Sequence, residues 1–331
     1  MTATGGGTYS WVASGGGNIT SGASTATITA DAEGTYTVTV TAASGCTSTD
    51  VALVSTSPTP TATISGGGTL CSGGTPVDVS IALTGTGPWD FVYSDGTTSF
   101  PITGQATSPY VISGAAAGNY TLVSAEDATT CAATLSGSAD VVINPLPIAV
   151  VSGGGTACAN QPINDVTITL TGTGPWDVTY NDGTSSTPVV VATSPYTISN
   201  GIDGTYTVTS VTDANTCVGS SSTSATIATN ALPTADISGG GVICAGAAIP
   251  DVSIALTGAG PWTGIYFDGT NSIPFSSSSS TFVISGGADG TYTVTSVSDI
   301  NCTGIVSGVA TITTNPLPTA TVSGGGTVCA G

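Results

Sequence analysis

One sequence of about 86 residues is written several times over in this 331-residue chain, and that period limits its fold before any motif is considered. Ser-Gly-Gly-Gly begins at Ser65, Ser152, Ser238 and Ser323, and Gly-Pro-Trp ends at Trp89, Trp176 and Trp262. A fixed spacing of this size marks a tandem array in which each repeat is a small domain with a modest core of its own. The expected division is a partial repeat at 1–57, entered near its tryptophan strand, and full repeats at 58–145, 146–232 and 233–317. A further repeat begins at 318–331.

Within residues 146–232, Val166, Ile168 and Leu170 alternate with Thr167 and Thr169, the period-two pattern of a half-buried strand. Gly172-Thr173-Gly174-Pro175 turns the chain into a second strand carrying Trp176, Val178 and Tyr180. An Asp-Gly tight-turn signal follows each tryptophan at Asp95-Gly96, Asp182-Gly183 and Asp268-Gly269. Further strands are expected at Pro195–Ser199 and Thr205–Val211, with the last ending near Ala228. Good helix formers are scarce: glutamate occurs only at Glu33 and Glu126, and methionine only at Met1. Six or seven short strands per repeat predict an all-β chain of tandem sandwiches.

The chain has no lysine, arginine or histidine, and its 19 acids give a formal charge of −19. That balance excludes an electrostatic footprint for nucleic acid or an anionic membrane surface. Serine is abundant, but neither histidine nor lysine is present to activate it, so no enzyme is expected. No apolar run reaches the roughly 18 residues of a membrane span. Met1 is followed by Thr-Ala-Thr-Gly-Gly-Gly, which does not resemble a secretion leader, and the truncated repeats at both ends suggest an excerpt of a longer protein.

The phrase Asp203-Gly204-Thr205-Tyr206-Thr207-Val208 returns around Tyr36, Tyr292 and, less faithfully, Tyr120. It resembles the tyrosine corner that opens strand F of an immunoglobulin-like sandwich, and Trp89, Trp176 and Trp262 then match the strand-C tryptophan. Over its full length the chain resembles the immunoglobulin-like repeats of giant Bacteroidota cell-surface adhesins. The wording GTYTVTVTAASGC at Gly34–Cys46 and SGGGTVCAG at Ser323–Gly331 is typical of them. The resemblance implies extracellular, non-catalytic spacer domains exported by a type IX system, with these tyrosines and tryptophans as core anchors.

Eight cysteines form two periodic series: Cys71, Cys158, Cys244 and Cys329, and Cys46, Cys131, Cys217 and Cys302. Even number and strict period point to disulfides and an oxidising compartment. The family's pin position, two residues past the corner tyrosine, holds Val38, Leu122, Val208 and Val294 instead. The second series falls eight or nine residues later, near the F–G turn, and the first lies near the A–B turn. These turns sit at opposite ends of a standard sandwich, whereas a disulfide needs Cα atoms within about 7 Å. Three arrangements stay open. Pairing inside a repeat, such as Cys158–Cys217 with a rearranged first strand, is the leading one. Pairing across joints, as Cys71–Cys217 and Cys158–Cys302, is the second, and free or intermolecular cysteines are the third.

Other motifs have plainer readings. Ser-Gly-Gly-Gly lacks the Lys and the helix of a phosphate cradle and reads as a kink between two segments of the first strand. Asp78, Asp165, Asp251, Asp127, Asp213 and Asp299 read as solvated turn-forming carboxylates, with calcium at the joints as the lesser alternative; no other cofactor is expected. The tryptophans read as core residues before sugar platforms.

Three functions fit such an array. The first is a stalk of sandwiches joined by short, stiff Pro-x-Pro links at Pro58-Thr59-Pro60, Pro145-Leu146-Pro147, Leu232-Pro233 and Pro316-Leu317-Pro318, whose partners are its own neighbouring repeats. The second is a filament of identical chains, motivated by strand edges with no lysine to guard them. The third is multivalent binding of a surface glycan through the divergent loops near Thr97–Thr107, Ser185–Ser194 and Asn271–Thr281.

Overall fold

The computed structural model describes residues 1–328 and 330, so Cys329 lies outside the described residues. Strands and turns account for its regular structure, and no helix occurs among the described residues. The chain divides into two compact units, Met1–Asn144 and Pro145–Gly331.

The repeat between Pro145 and Pro233 shows the architecture. One sheet pairs Ile148–Gly153 with Val166–Leu170, and the latter with Tyr196–Ile198, all antiparallel. The other runs in the order Gly155–Cys158, Ser224–Asn230, Gly204–Thr212, Trp176–Asn181, Ser186–Val191. The first strand therefore serves both sheets: antiparallel in one, then parallel to the last strand in the other. The switch occurs at Gly153-Gly154-Gly155, whose φ angles of 88°, 67° and 138° are ones that L side chains rarely adopt. A Cβ on Gly153 would lie 2.2 Å from the Asp165 carbonyl oxygen, so the crossing also needs the missing side chain. The kink read from Ser-Gly-Gly-Gly is this sheet switch.

Val166, Ile168 and Leu170 face the space between the sheets, and Trp176, Val178, Tyr206, Val208, Val211 and Ile227 meet them there. Each large aliphatic side chain buried in this way contributes about 1.5–3 kcal/mol. The aliphatic residue at the position of the missing pin is buried at Val38, Val208 and Val294 and half-buried at Leu122. The next repeat in the same unit repeats the plan. Its first strand, Thr234–Cys244, runs unbroken through both sheets, pairing with Val252–Thr257 and then with Ala310–Asn315.

The first unit holds a sandwich of the same order, built on Ala62, Ile64, Val79, Ile81, Phe91 and Tyr120. Ahead of it, residues 1–57 form a smaller sheet, Thr8–Ser14 beside Gly34–Thr41 beside Thr47–Val54. Its buried core is four residues, Trp11, Ile28, Tyr36 and Val38. The molecule is an all-β tandem array of immunoglobulin-like sandwiches.

Candidate functional site: the joint between repeats

Only Ala231, Leu232 and Pro233 separate the strand Ser224–Asn230 from the strand Thr234–Cys244. The loop before the last strand of the following repeat closes on this short link. Ile305 N–H donates to the Pro233 carbonyl oxygen at 2.9 Å. A Cβ on Gly304 would sit 2.0 Å from that oxygen, so only glycine allows the approach.

Asp299 shapes the loop. Its Oδ1 accepts the N–H groups of Asn301 at 2.8 Å and Cys302 at 2.7 Å, and its Oδ2 accepts Ala259 N–H at 2.9 Å. Gly258, at φ 105°, lets the carboxylate in, since a Cβ there would meet Asp299 Oδ2 at 2.7 Å and Pro233 Cβ at 2.9 Å. Asp213 does the same one repeat earlier, accepting from Asn215, Cys217 and Thr173 at 2.9, 3.0 and 3.4 Å. Asp127 accepts from Thr129, Cys131 and Thr86 at 2.9, 3.4 and 3.1 Å.

The expectation of solvated carboxylates fails here: Asp127 and Asp213 are buried, and Asp299 is half-buried. With no cation in the chain, backbone N–H groups supply the compensation that a buried carboxylate requires. Burial opposes ionisation of Asp213, but the donors Cys217, Thr173 and Asn215 outweigh it and hold the carboxyl below its ordinary value. Asp299 follows the same balance, with burial opposed by Ala259, Cys302 and Asn301. Asp127 is lowered chiefly by the Thr129 hydroxyl, then by the Thr86 N–H. The companion acids Asp78, Asp165 and Asp251 stay exposed. Among the described residues, no group of three or more potential metal-ligating acids and cysteines comes together.

A disulfide spans this joint. Cys158 and Cys302, 144 residues apart, are bonded at an S–S distance of 2.06 Å with their Cα atoms 5.8 Å apart. Cys158 ends the first strand of its repeat, where Ala159 N–H donates to the Asn230 carbonyl at 2.8 Å, beside the exit to the next repeat. Cys217 occupies the opposite pole of that repeat: its loop packs on Pro147, with a Cβ on Gly219 1.8 Å from the Pro147 carbonyl oxygen. Pairing Cys158 with Cys217 would have to span the whole sandwich. The leading expectation of pairing within a repeat is therefore wrong for Cys158, and pairing across the joint is right.

Cys71 and Cys217 each take part in a disulfide, whereas Cys46, Cys131 and Cys244 are free thiols. The cysteine framework is thus not wholly oxidised in this stretch.

The remaining singled-out residues belong to the sandwiches and their turns. Trp176 and Trp262 are buried and Trp89 half-buried, each donating its indole N–H to the carbonyl of the threonine five residues earlier, at 2.9, 2.8 and 3.0 Å. The glycine of Gly-Pro-Trp lies under the indole, where a Cβ on Gly174 would come within 2.6 Å of the ring. The hydroxyls of Tyr36, Tyr120, Tyr206 and Tyr292 each donate to the carbonyl four residues upstream, at 2.6, 3.1, 3.0 and 2.8 Å. Asp182 caps its turn through Thr184 and Ser185 N–H groups at 2.8 and 2.7 Å, with Gly183 at φ 95°; Asp95-Gly96 and Asp268-Gly269 repeat this. Hydrogen bonds led by Ser185, Thr98 and Asn271 hold the three carboxyls below their ordinary value.

Two features escaped the reading of the sequence. The loop glycines Gly85, Gly172 and Gly258 were legible only as turn signals. Prolines at Pro101, Pro188 and Pro274, spaced by the same period, all fall in the edge strand beside the tryptophan strand. Their spacing was a usable signal.

Residues 2–56 match the family model of a PKD-like domain. No curated protein matches the chain. Among solved structures, the titin I-band fragment I67–I69 is 15% identical, with 79% of this chain and all of that one covered at a TM-score of 0.47. A 1.5-MDa bacterial ice-binding adhesin is 12% identical, with 78% and 98% covered at 0.37. The mouse nectin-like molecule 4 ectodomain is 14% identical, with 77% and 99% covered at 0.39. The fold assignment rests on the strand order above and not on these overlays.

Proposed function

We propose that the array is a non-catalytic structural segment of a large secreted surface protein, an extended stalk that holds an adhesive part away from its cell. The observation that carries this reading is the joint. A three-residue link ends in a proline that the following repeat's loop grips, and a disulfide ties the same two repeats. Such a connection suits a spacer that must not fold back on itself. Disulfides suit an oxidising, extracellular setting. An origin among Bacteroidota gliding-type adhesins with type IX export belongs to this proposal through the sequence resemblance alone.

The filament reading loses its motive at the strand edges. The open edge beside the tryptophan strand carries exposed Pro101, Pro188 or Pro274, a residue with no N–H to offer an added strand. The opposite edge of that sheet, Gly155–Cys158, is four residues long, and Tyr196–Ile198 in the other sheet is three. Short and proline-bearing edges resist pairing without lysine. Glycan binding through the divergent loops ranks third, because Trp176 and Trp262 are committed to the cores.

Sedimentation of the full chain at micromolar concentration tests the order of these readings. A monomer is expected. An ordered polymer would overturn the stalk and restore the filament.

A further inference from the structure

We infer that Asn200 is a site of spontaneous covalent modification: the Gly201 N–H attacks its side-chain amide, and the array ages first at this one loop. The inference stands apart from the stalk reading, because the reaction needs only the loop and water.

The sequence contains a single Asn-Gly pair, Asn200-Gly201. It lies between the strands Tyr196–Ile198 and Gly204–Thr212, at the entry to the tyrosine corner. The sister repeats show why an asparagine is tolerated there. Gly114 and Gly286, one period before and one after, hold the same place with φ of 63° and 68°, and Asn200 has φ 54°. Asparagine is one of the few residues with a side chain that visits this left-handed conformation. The fold accepts the exchange, and with it a reactive pair that neither sister contains.

Asparagine is thermolabile because the backbone nitrogen that follows it can attack its side chain. Here the bond from Gly201 N to Asn200 Cγ forms and the bond from Cγ to the carboxamide nitrogen breaks. That nitrogen leaves as ammonia, taking up the proton that Gly201 gives up. Water then opens the five-membered imide at either carbonyl. One opening leaves aspartate at position 200. The other leaves isoaspartate, with the main chain lengthened by one methylene. Either product adds one negative charge to the formal −19.

The structure selects this asparagine over the others, because the attacking N–H must be free. Gln161, after Asn160, donates to the Cys158 carbonyl at 3.0 Å, and Asp182, after Asn181, to the Ser185 carbonyl at 3.2 Å. Thr216, after Asn215, donates to the Asp213 carbonyl at 3.0 Å. Among the described residues, neither the Gly201 N–H nor the Asn200 carboxamide has a hydrogen bond, and Asn200 is exposed. Breaking a hydrogen bond of ordinary net strength first slows an attack roughly tenfold. Glycine also puts no side chain in the way of ring closure.

The corner registers the product. A Cβ on Gly201 would lie 2.7 Å from the Tyr206 hydroxyl and 2.6 Å from Ile227 Cδ1, so the backbone has no slack there. Tyr206 donates to the Ile202 carbonyl at 3.0 Å. An extra methylene just ahead of Gly201 displaces one side of that contact. Nor does the chain hold any cation to offset the new carboxylate.

Peptic mapping of the full chain, kept in warm, mildly alkaline buffer and sampled over time, tests the inference. The peptide carrying residue 200 should gain aspartate and isoaspartate about tenfold faster than those carrying Asn160, Asn181 or Asn215. Equal rates, or an earlier loss at any of those three, would overturn it. The same incubation in urea separates structure from sequence. Unfolding should speed the other three and leave Asn200 nearly unchanged, whereas protection of Asn200 by the fold of more than about tenfold would also overturn the inference. N200G, which restores the residue of the sister repeats, should keep its urea midpoint throughout the incubation while that of the wild type falls. An unchanged wild-type midpoint after full conversion would remove the effect on the corner.

Discussion

The loop carrying Cys131 and the loop carrying Cys302 form the same turn, although the first thiol is free and the second is bonded. In both, an aspartate carboxylate accepts the cysteine N–H and a second N–H two residues after the aspartate. In both, the aspartate N–H returns to the cysteine carbonyl, at 3.2 Å and 2.9 Å. Even the one-residue difference in length, Asp127–Cys131 against Asp299–Cys302, leaves the pattern intact. The difference teaches that the aspartate builds the loop and the disulfide only uses it. Each repeat presents its cysteine already placed, and oxidation adds a connection without remodelling the fold.

The strongest way to break this comparison is to remove the bond and look for damage in the loop. C302S should lower resistance to denaturant by up to about 5 kcal/mol where the two repeats unfold together, the chain-entropy value for so long a loop. Amide exchange at residue 302 in the native state should nevertheless stay as slow as at Cys131. A loop that melts in C302S would show that the disulfide, not Asp299, builds it.

Removing the aspartate should act on both kinds of loop alike. D127A and D213A each strip part-buried backbone N–H groups of their acceptor and should lower the midpoint of urea unfolding. Equal losses are expected although Cys131 is free and Cys217 is bonded. A harmless D127A would refute the shared mechanism.

Acid should find the same carboxylates. The carboxyls of Asp127, Asp213 and Asp299 lie below their ordinary value in the folded chain. Their contribution is complete above the unfolded value near 4 and is lost as the pH falls through the lowered folded values. Midpoints of urea unfolding should hold steady from pH 7 to about 5 and drop below 4, with a shallower drop in D213N.

The smallest effect is expected at the tyrosine corner, remote from either cysteine. Y292F loses the bond to the Ala288 carbonyl, at about 1 kcal/mol, and should leave the disulfide untouched in peptide mapping.

Much of the fold was legible because it depends on neighbours in sequence. Val166, Ile168 and Leu170 alternate because a strand has two faces, and Asp182-Gly183 turns because the side chain bonds its own backbone two and three residues on. Tyr206 was readable as a corner because its partner, Ile202, lies four residues away. The buried state of Asp213 was not readable. Its third donor, Thr173, lies 40 residues off, and only the folded sandwich sets them together. Nor was the reach of Pro233 into the next repeat's loop at Gly304 and Ile305, more than 70 residues further on.

By itself the sequence determined the repeat, the all-β class, the sheet-switching glycines and the positions of both cysteine series. These follow from period, alternation and local hydrogen bonding, which act over a few residues. The partner of Cys158 was decided only by tertiary structure. The two cysteine series lie at opposite poles of each sandwich, and a bond with Cα atoms 5.8 Å apart cannot cross one. Where two sandwiches meet, the far pole of one becomes the near pole of the next, and that adjacency exists in space before it can be seen in the order of residues.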